Sequence, residues 1–349
     1  MSGITPAGYL AIFVGSLMLS LVLVPMALRL ALHLDVLDHP GGYKQQDTPI
    51  PHLGGMAIVV AFAAAVLVAS LVRPPVAGLG QLAAILGLAV GVSLLGLLDD
   101  VRGLSPAVRL VAVTVAAVGV WGAGVGVNLF DVEVANLLVT IVWVVGITNA
   151  LNLLDNMDGL SAGVAAIASV FLFLIAALHG QFLVAALALA LAGCAVGFLR
   201  HNFHPATIYM GDAGSLFLGF LLAVLGIKLT VPTDPVIAAF VPILVLGVAI
   251  FDTALVTVTR MLDGRSPFEG GRDHTSHRLV ALGVPVPFAV GLIYLAALGL
   301  GWLGVIMARL TDLVTAYLLL GFILTVGLVG GALLARVPVG ATTPSRSGR

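Results

Sequence analysis

Six aspartates carry most of the chemical potential of this chain: Asp99, Asp100, Asp155, Asp158, Asp212 and Asp252, each at the end of an apolar run. Carboxylates crowded beside a membrane repel one another, and their pKa values rise unless a cation is present. The set therefore points to metal-dependent chemistry at a membrane surface, with a hard cation such as Mg²⁺ held by oxygen ligands. In LLGLLDDVRGLSP, 94–106, the adjacent pair Asp99-Asp100 suits either a Mg²⁺ site or a general base. In NALNLLDNMDGLSAG, 149–163, Asn152, Asp155 and Asp158 recur every three residues, a spacing that lines one face of a helix. Followed by Gly159, they would make a surface for a cation or a nucleotide.

In IYMGDAGSLFLGF, 208–220, Asp212 lies between two glycines at the start of an apolar helix. The glycines allow close approach by a ligand, and the helix start behind them offers N–H groups to a phosphate. The longest polar loop, within 251–279, follows Asp252 and carries Arg260, Arg265, Arg272 and Arg278, donors suited to a pyrophosphate. His274 and His277 lack an evident third metal ligand, so phosphate or sugar hydrogen bonding is the reading for that segment. The loop 39–55 contributes Lys44 and the stiff stretch Thr48-Pro49-Ile50-Pro51-His52, and RHNFHP at 200–205 is a short basic stretch at a membrane border. Each of these pieces taken alone also reads as a helix cap or a polar connector.

Membrane-spanning helices must position these groups. The chain has 349 residues, 60% hydrophobic and only 9% charged, with a mean hydropathy of +1.19; a soluble domain carries about 25% charged residues. The expected fold is all-α and polytopic, with about 11 transmembrane helices at 8–31, 54–72, 79–98, 107–127, 134–150, 160–178, 181–199, 213–229, 235–258, 285–308 and 313–335, because helices satisfy their own backbone in hydrocarbon. The segment 134–150 is the weakest of these, being short and rich in β-branched residues. The odd-numbered loops and C-terminus, with adjoining span ends, hold 12 of the 15 Lys and Arg residues, leaving Arg73, Lys228 and Arg309 on the other side. The positive-inside rule then places the N-terminus outside and the acidic groups at the cytoplasmic face of a cell inner (plasma) membrane. A net charge of −1 gives no case for nucleic-acid binding. The single cysteine, Cys194, excludes an intramolecular disulfide and reads as a small buried or lipid-facing residue. Residues 1–336 read as one transmembrane domain and 337–349 as a disordered cytoplasmic tail.

The strings LLGLLDD, NALNLLDNMDGL, IYMGDAGSL and FDT…RMLDGRSPF…DHTSHRL, in that order, resemble the polyprenyl-phosphate N-acetylhexosamine-1-phosphate transferases. KQQDTPIPHLGG is similar to that family's first cytoplasmic loop, although His52 stands where an arginine is common. The resemblance covers about residues 40–280. It implies transfer of a sugar 1-phosphate from a UDP-sugar to a polyprenyl phosphate with release of UMP, on the cytoplasmic side, with Mg²⁺ (or Mn²⁺) as cofactor. It further implies Asp99, Asp100, Asp155 and Asp158 as catalytic residues, and Asp212, Asp100 and Asp155 as metal ligands. Lys44, Asn152, Arg265, His274, His277 and Arg278 are the expected substrate-binding residues. The branch using UDP-N-acetylglucosamine is favoured. The muramoyl-pentapeptide branch carries more histidines in the last loop, where DHTSHRL has only His274 and His277. A cation-coupled transporter is the rival class, disfavoured because the acids sit at helix ends on one side. A homodimer is left open.

Overall fold

The computed structural model describes residues 5–38, 48–72 and 78–339. Lys44 lies outside the described residues, as does most of the tail. The described chain folds into helices α1 Pro6–His33, α2 Gly54–Val72, α3 Leu79–Arg102, α4 Pro106–Gly122, α5 Glu133–Leu154, α6 Leu160–Leu178, α7 Phe182–Asn202, α8 Gly211–Lys228, α9 Pro235–Val245, α10 Gly247–Leu262, α11 Thr275–Ala281, α12 Val286–Met307 and α13 Leu313–Ala335. A two-strand antiparallel ladder, β1 Leu37–Asp38 and β2 Ile50–Pro51, closes the neck between α1 and α2.

Local chemistry sets several helix starts. Thr5-Pro6, Ser105-Pro106 and Asp234-Pro235 each place an oxygen-bearing cap ahead of a proline at the first helical position. The cap satisfies an orphan amide, and proline has none to lose. Thr5 Oγ1 accepts from Gly8 N at 3.2 Å, and Asp234 Oδ1 from Val236 N at 2.9 Å.

The centre of the bundle is α8, with α2, α3, α5, α6 and α7 around it. Its residues from Ala213 to Gly226 are all buried. Edge-to-face packing of Phe62 on Phe217 (centroids 5.6 Å apart) joins α2 to α8, and Trp143 Nε1 donates to the Ala223 carbonyl at 3.0 Å to join α5 to α8. α13 is the opposite extreme: none of its most apolar stretch is buried in the protein, against 78% for α8. α3 and α8 run antiparallel, so the end of one meets the start of the other. At their far ends Lys228 of α8 donates to Gln81 of α3.

Nine of the described helices are long and apolar enough to span, ten if α9 and α10 count as one broken span. Three expected boundaries are corrected. The segment 235–258 is not one straight helix: α9 and α10 meet at a 78° bend. Pro242 lies one turn before the break, where it removes an amide and crowds the preceding turn. The segment 107–127 stops at Gly122, leaving a 17-residue helix. The segment 134–150, the weakest by sequence, is a full 22-residue helix that continues through Asn149 and Asn152 to Leu154. Within it Asn149 is kept satisfied by donating its side-chain amide to the Val145 carbonyl at 2.8 Å.

Candidate active site

Four helix ends converge at one pole of the bundle. α3 ends in Asp99 and Asp100, α4 begins near Arg109, α5 ends with Asn152 followed by Asp155, and α8 begins with Asp212. Close backbone approach makes this possible. A Cβ at Gly96 would lie 2.6 Å from the Ala213 amide nitrogen and would also clash with the Asp212 carbonyl, so only glycine lets α3 seat against the first turn of α8. Gly55 and Gly214 do the same for α2 and α8, and the Gly54 and Gly55 amides donate to the carbonyls of Tyr209 and Met210 at 3.0 and 2.9 Å.

The two adjacent aspartates have different partners. Asp100 Oδ1 accepts from the Asp212 amide at 2.8 Å, and its Oδ2 accepts from the Ala213 amide at 3.1 Å. A carboxylate there satisfies orphan amides and complements the helix dipole. This corrects the expectation that the start of α8 presents free N–H groups and open glycine space to a phosphate. Asp100 takes those two amides, and the backbone around Gly55 fills the space beside Gly214. Asp99 is buried; its Oδ1 accepts from the Leu104 amide at 2.6 Å and its Oδ2 from Arg109 Nη1 at 2.8 Å.

Arg109 is the residue that sequence reasoning missed. Its Nη1 also donates to Asp212 Oδ2 at 2.9 Å, so one nitrogen bridges two carboxylates from helices far apart in sequence. A signal existed: a cation close behind a Ser-Pro helix start opposes the helix dipole and calls for an anionic partner. Asn152 Nδ2 donates to the other Asp212 oxygen at 2.7 Å and to Ser215 Oγ at 2.9 Å.

Asp155 caps the end of α5, its amide donating to the Asn152 carbonyl at 3.2 Å. Among the described residues nothing donates a hydrogen bond to its side chain. Burial, followed by repulsion from Asp212, Asp100 and Asp158, pushes its pKa up to about 8. Asp158 does not share a helix face with Asn152 and Asp155, because α5 ends at Leu154. Its Oδ2 instead accepts from His204 Nδ1 at 2.8 Å and the Ala206 amide at 3.0 Å, bracing the α7–α8 connection. The same turn is tied down at Gly159, whose carbonyl accepts from Tyr294 at 2.6 Å and whose amide donates to Asn202 Oδ1 at 3.0 Å.

The last polar loop is more self-contained than its charge suggests. Arg260, 1% exposed, donates through Nε to Asp273 Oδ2 at 2.9 Å, and Arg265 Nη2 donates to Asp273 Oδ1 at 2.8 Å. Burial would raise the Asp273 pKa, but the hydrogen bonds from Arg265 and Arg260 hold it below the usual carboxylate value. Arg278 is also buried; its Nη1 donates to the carbonyls of Leu334, Ala335 and Val337 at 3.0, 3.3 and 3.1 Å, gripping the end of α13. His274 Nδ1 lies 2.8 Å from Asp252 Oδ2. Ser276 Oγ donates to Asn156 Oδ1 at 2.6 Å, docking this segment beside Asp155. Burial above all lowers the His277 pKa to about 4, so that ring is neutral at pH 7.

The site thus brings together Asp99, Asp100, Asn152, Asp155 and Asp212 of the expected residues, and adds Arg109. It places Arg265 and Arg278 in structural pairings and Asp158 in a loop brace. No three His, Cys, Asp or Glu side chains among the described residues are gathered as a ready-made ion cage. The donor set nevertheless fits Mg²⁺, which is commonly held by one or two carboxylates together with substrate phosphates. Asp155, pressed by like charges and lacking a counter-charge among the described residues, fits that role.

A family described as glycosyl transferase family 4 matches residues 82–230, the stretch that contains every member of this cluster. A Bacillus subtilis (strain 168) protein called "Probable undecaprenyl-phosphate N-acetylglucosaminyl 1-phosphate transferase" is 33% identical over 292 residues, 81% of this chain and 80% of its own. The chain belongs to glycosyl transferase family 4. Other similar members include the decaprenyl-phosphate N-acetylglucosaminephosphotransferase of Mycolicibacterium smegmatis, 33% identical over 79% of this chain and 75% of its own. The phospho-N-acetylmuramoyl-pentapeptide-transferase of B. subtilis is 29% identical over 62% of this chain and 72% of its own. This family 4 member is accordingly a multi-pass membrane enzyme, a transferase whose polar cluster lies at the joined ends of α3, α4, α5 and α8.

Proposed function

We propose that the enzyme transfers N-acetylglucosamine 1-phosphate from UDP-N-acetylglucosamine to undecaprenyl or decaprenyl phosphate, releasing UMP and initiating a cell-wall or surface polysaccharide. The observation that carries this reading is the 33% identity, over about four-fifths of the chain, to relatives named for that transfer. The muramoyl relatives match a shorter stretch at 29%. The charge asymmetry supports a catalytic face in the cytoplasm of the inner (plasma) membrane.

In the proposed reaction an oxygen of the lipid phosphate attacks the sugar-bearing phosphorus in line. The bond from that phosphorus to the bridging oxygen breaks, and UMP leaves with that oxygen. The lipid phosphate is already largely ionised at pH 7, so a strong base is not needed. Asp99 is buried with its oxygens turned to the Leu104 amide and Arg109, and its role in this reading is to orient the guanidinium. Asp212 and Asp155 would hold Mg²⁺ (or Mn²⁺), with Asp100 fixing the start of α8 behind them. When bound, that cation supplies charge neutralisation for the pyrophosphate and the departing UMP. Asn152 holds one Asp212 oxygen in place. Arg109, held by two carboxylates through one nitrogen, offers its remaining N–H groups to phosphate oxygens.

The test is UMP release from purified protein given polyprenyl phosphate, Mg²⁺ and UDP-N-acetylglucosamine. Release that requires both lipid and metal is expected. Release only with another UDP-sugar would overturn the donor assignment, and lipid-independent release would overturn the transfer. Label from the UDP-sugar remaining on protein in the absence of lipid would overturn direct attack.

A further inference from the structure

Asp252 has no part in the cluster at the ends of α3, α5 and α8, yet it is a carboxylate only 2% exposed, inside α10. An unpartnered acid there would be costly. Both of its oxygens are consumed by two consecutive residues at the start of α11: Oδ2 by His274 Nδ1 at 2.8 Å, Oδ1 by the Thr275 amide at 2.7 Å. His274 is itself 4% exposed.

We propose that Asp252 is a positioning residue that fixes the orientation and tautomer of His274, leaving its Nε2 as the acceptor that takes a hydroxyl of the sugar nucleotide. This rests on the reaction proposed above. A carboxylate accepts and does not donate, so Nδ1 carries the proton, and Nε2 is the nitrogen left for a ligand. The location is suitable because Ser276, two residues on, is bonded to Asn156, the neighbour of Asp155. The ring is therefore held by α10 through Asp252, and its segment is docked on the turn after α5 through Ser276. Other nearby charge is already committed: Asp273 is bonded to Arg260 and Arg265, and His277, whose ring centroid is 6.3 Å from that of His274, is neutral at pH 7.

Asp252→Asn tests this directly. The amide retains the size of the carboxylate and an oxygen for the Thr275 amide. It turns an N–H toward Nδ1, moving the ring proton to Nε2 and presenting a donor where the ligand hydroxyl needs an acceptor. Two quantities are read for wild type, Asp252→Asn, Asp252→Glu, His274→Ala and the Asp252→Asn/His274→Ala double variant: UDP-N-acetylglucosamine affinity by calorimetry, and UMP release. Thermal unfolding confirms that each is folded. Asp252→Asn is expected to weaken sugar-nucleotide affinity about 10–100-fold, as loss of an orienting partner does, with the KM for polyprenyl phosphate unchanged. Asp252→Glu should recover part of the loss. In the His274→Ala background Asp252→Asn should cost less than about twofold, because the partner through which it acts is gone. An equal loss in both backgrounds, or equal loss for both substrates, would overturn the proposal, as would unchanged affinity in Asp252→Asn. Failure of the reaction reading looks different: normal UDP-sugar affinity and an intact cycle, with no UMP released by the wild type.

Discussion

Replacing Arg109 by alanine is the sharpest perturbation of the cluster. One guanidinium nitrogen donates to Asp99 at 2.8 Å and Asp212 at 2.9 Å. A hydrogen bond to a charged group contributes about 1.5–3 kcal/mol. The Asp99 partner is only 6% exposed, so that arm keeps most of this value. The Asp212 partner is 29% exposed and Arg109 itself 23%, so solvent trims the second arm toward the ~0–1 kcal/mol of surface pairs. Loss of both arms should destabilise the protein by about 2–3 kcal/mol. The consequence for turnover is larger in effect, because a fixed cation beside the reacting phosphates is lost. By analogy with loss of one preorganised donor, kcat should fall about 10²–10³-fold. The same change leaves the site one positive charge poorer, so Mg²⁺ should bind more tightly. The assay is steady-state UMP release alongside calorimetric Mg²⁺ titration of the same preparation. Turnover within threefold of wild type, or weaker Mg²⁺ binding in Arg109→Ala, would refute the reasoning.

Four further outcomes follow from the same geometry. Asp212→Ala should lower the rate at least ~10²-fold, measured as UMP release at saturating Mg²⁺; near-normal turnover would remove Asp212 from the metal assignment. Asp155, raised to about 8 by burial and like charges, must lose its proton for a cation to bind; Mg²⁺ affinity should therefore climb as pH rises toward 8 and level off above it, by calorimetry across that range. The folded pKa lies above the unfolded ~3.9, so this group disfavours the metal-free fold increasingly as pH rises between those values, and a melting temperature in EDTA that did not decline there would contradict the assignment. Arg278→Ala should lower the melting temperature while moving the KM for the UDP-sugar less than about threefold, because its guanidinium is spent on α13 carbonyls.

The helix ends that carry Asp99-Asp100 and Asp212 are legible in the sequence because each marks the border of an apolar run, and hydropathy reads such borders well. The motif order likewise locates the residues that converge. What hydropathy does not report is which way a side chain turns once its helix has stopped. Asp155 and Asp158 keep a helical spacing although α5 ends before both, and a partner on the α7–α8 connection draws Asp158 away. The arginines of the last loop look interchangeable as charges. Their roles are separated by Asp273 and by the open carbonyls at the end of α13, partners set only by tertiary folding. The bend between α9 and α10 is foreshadowed by Pro242, but hydropathy carries no signal for its 78° angle.

The bond from Asp100 to the first turn of α8 joins residues 112 positions apart. During synthesis α3 therefore enters the membrane well before its partner exists. Until α8 arrives, the acidic end of α3 must stay at the water's edge, since nothing else in the chain offers those two amides. Seating α8 is thus the event that draws the carboxylate into the protein. A chain that stops short of Gly211 keeps an acidic helix end in water where the finished bundle has a closed joint.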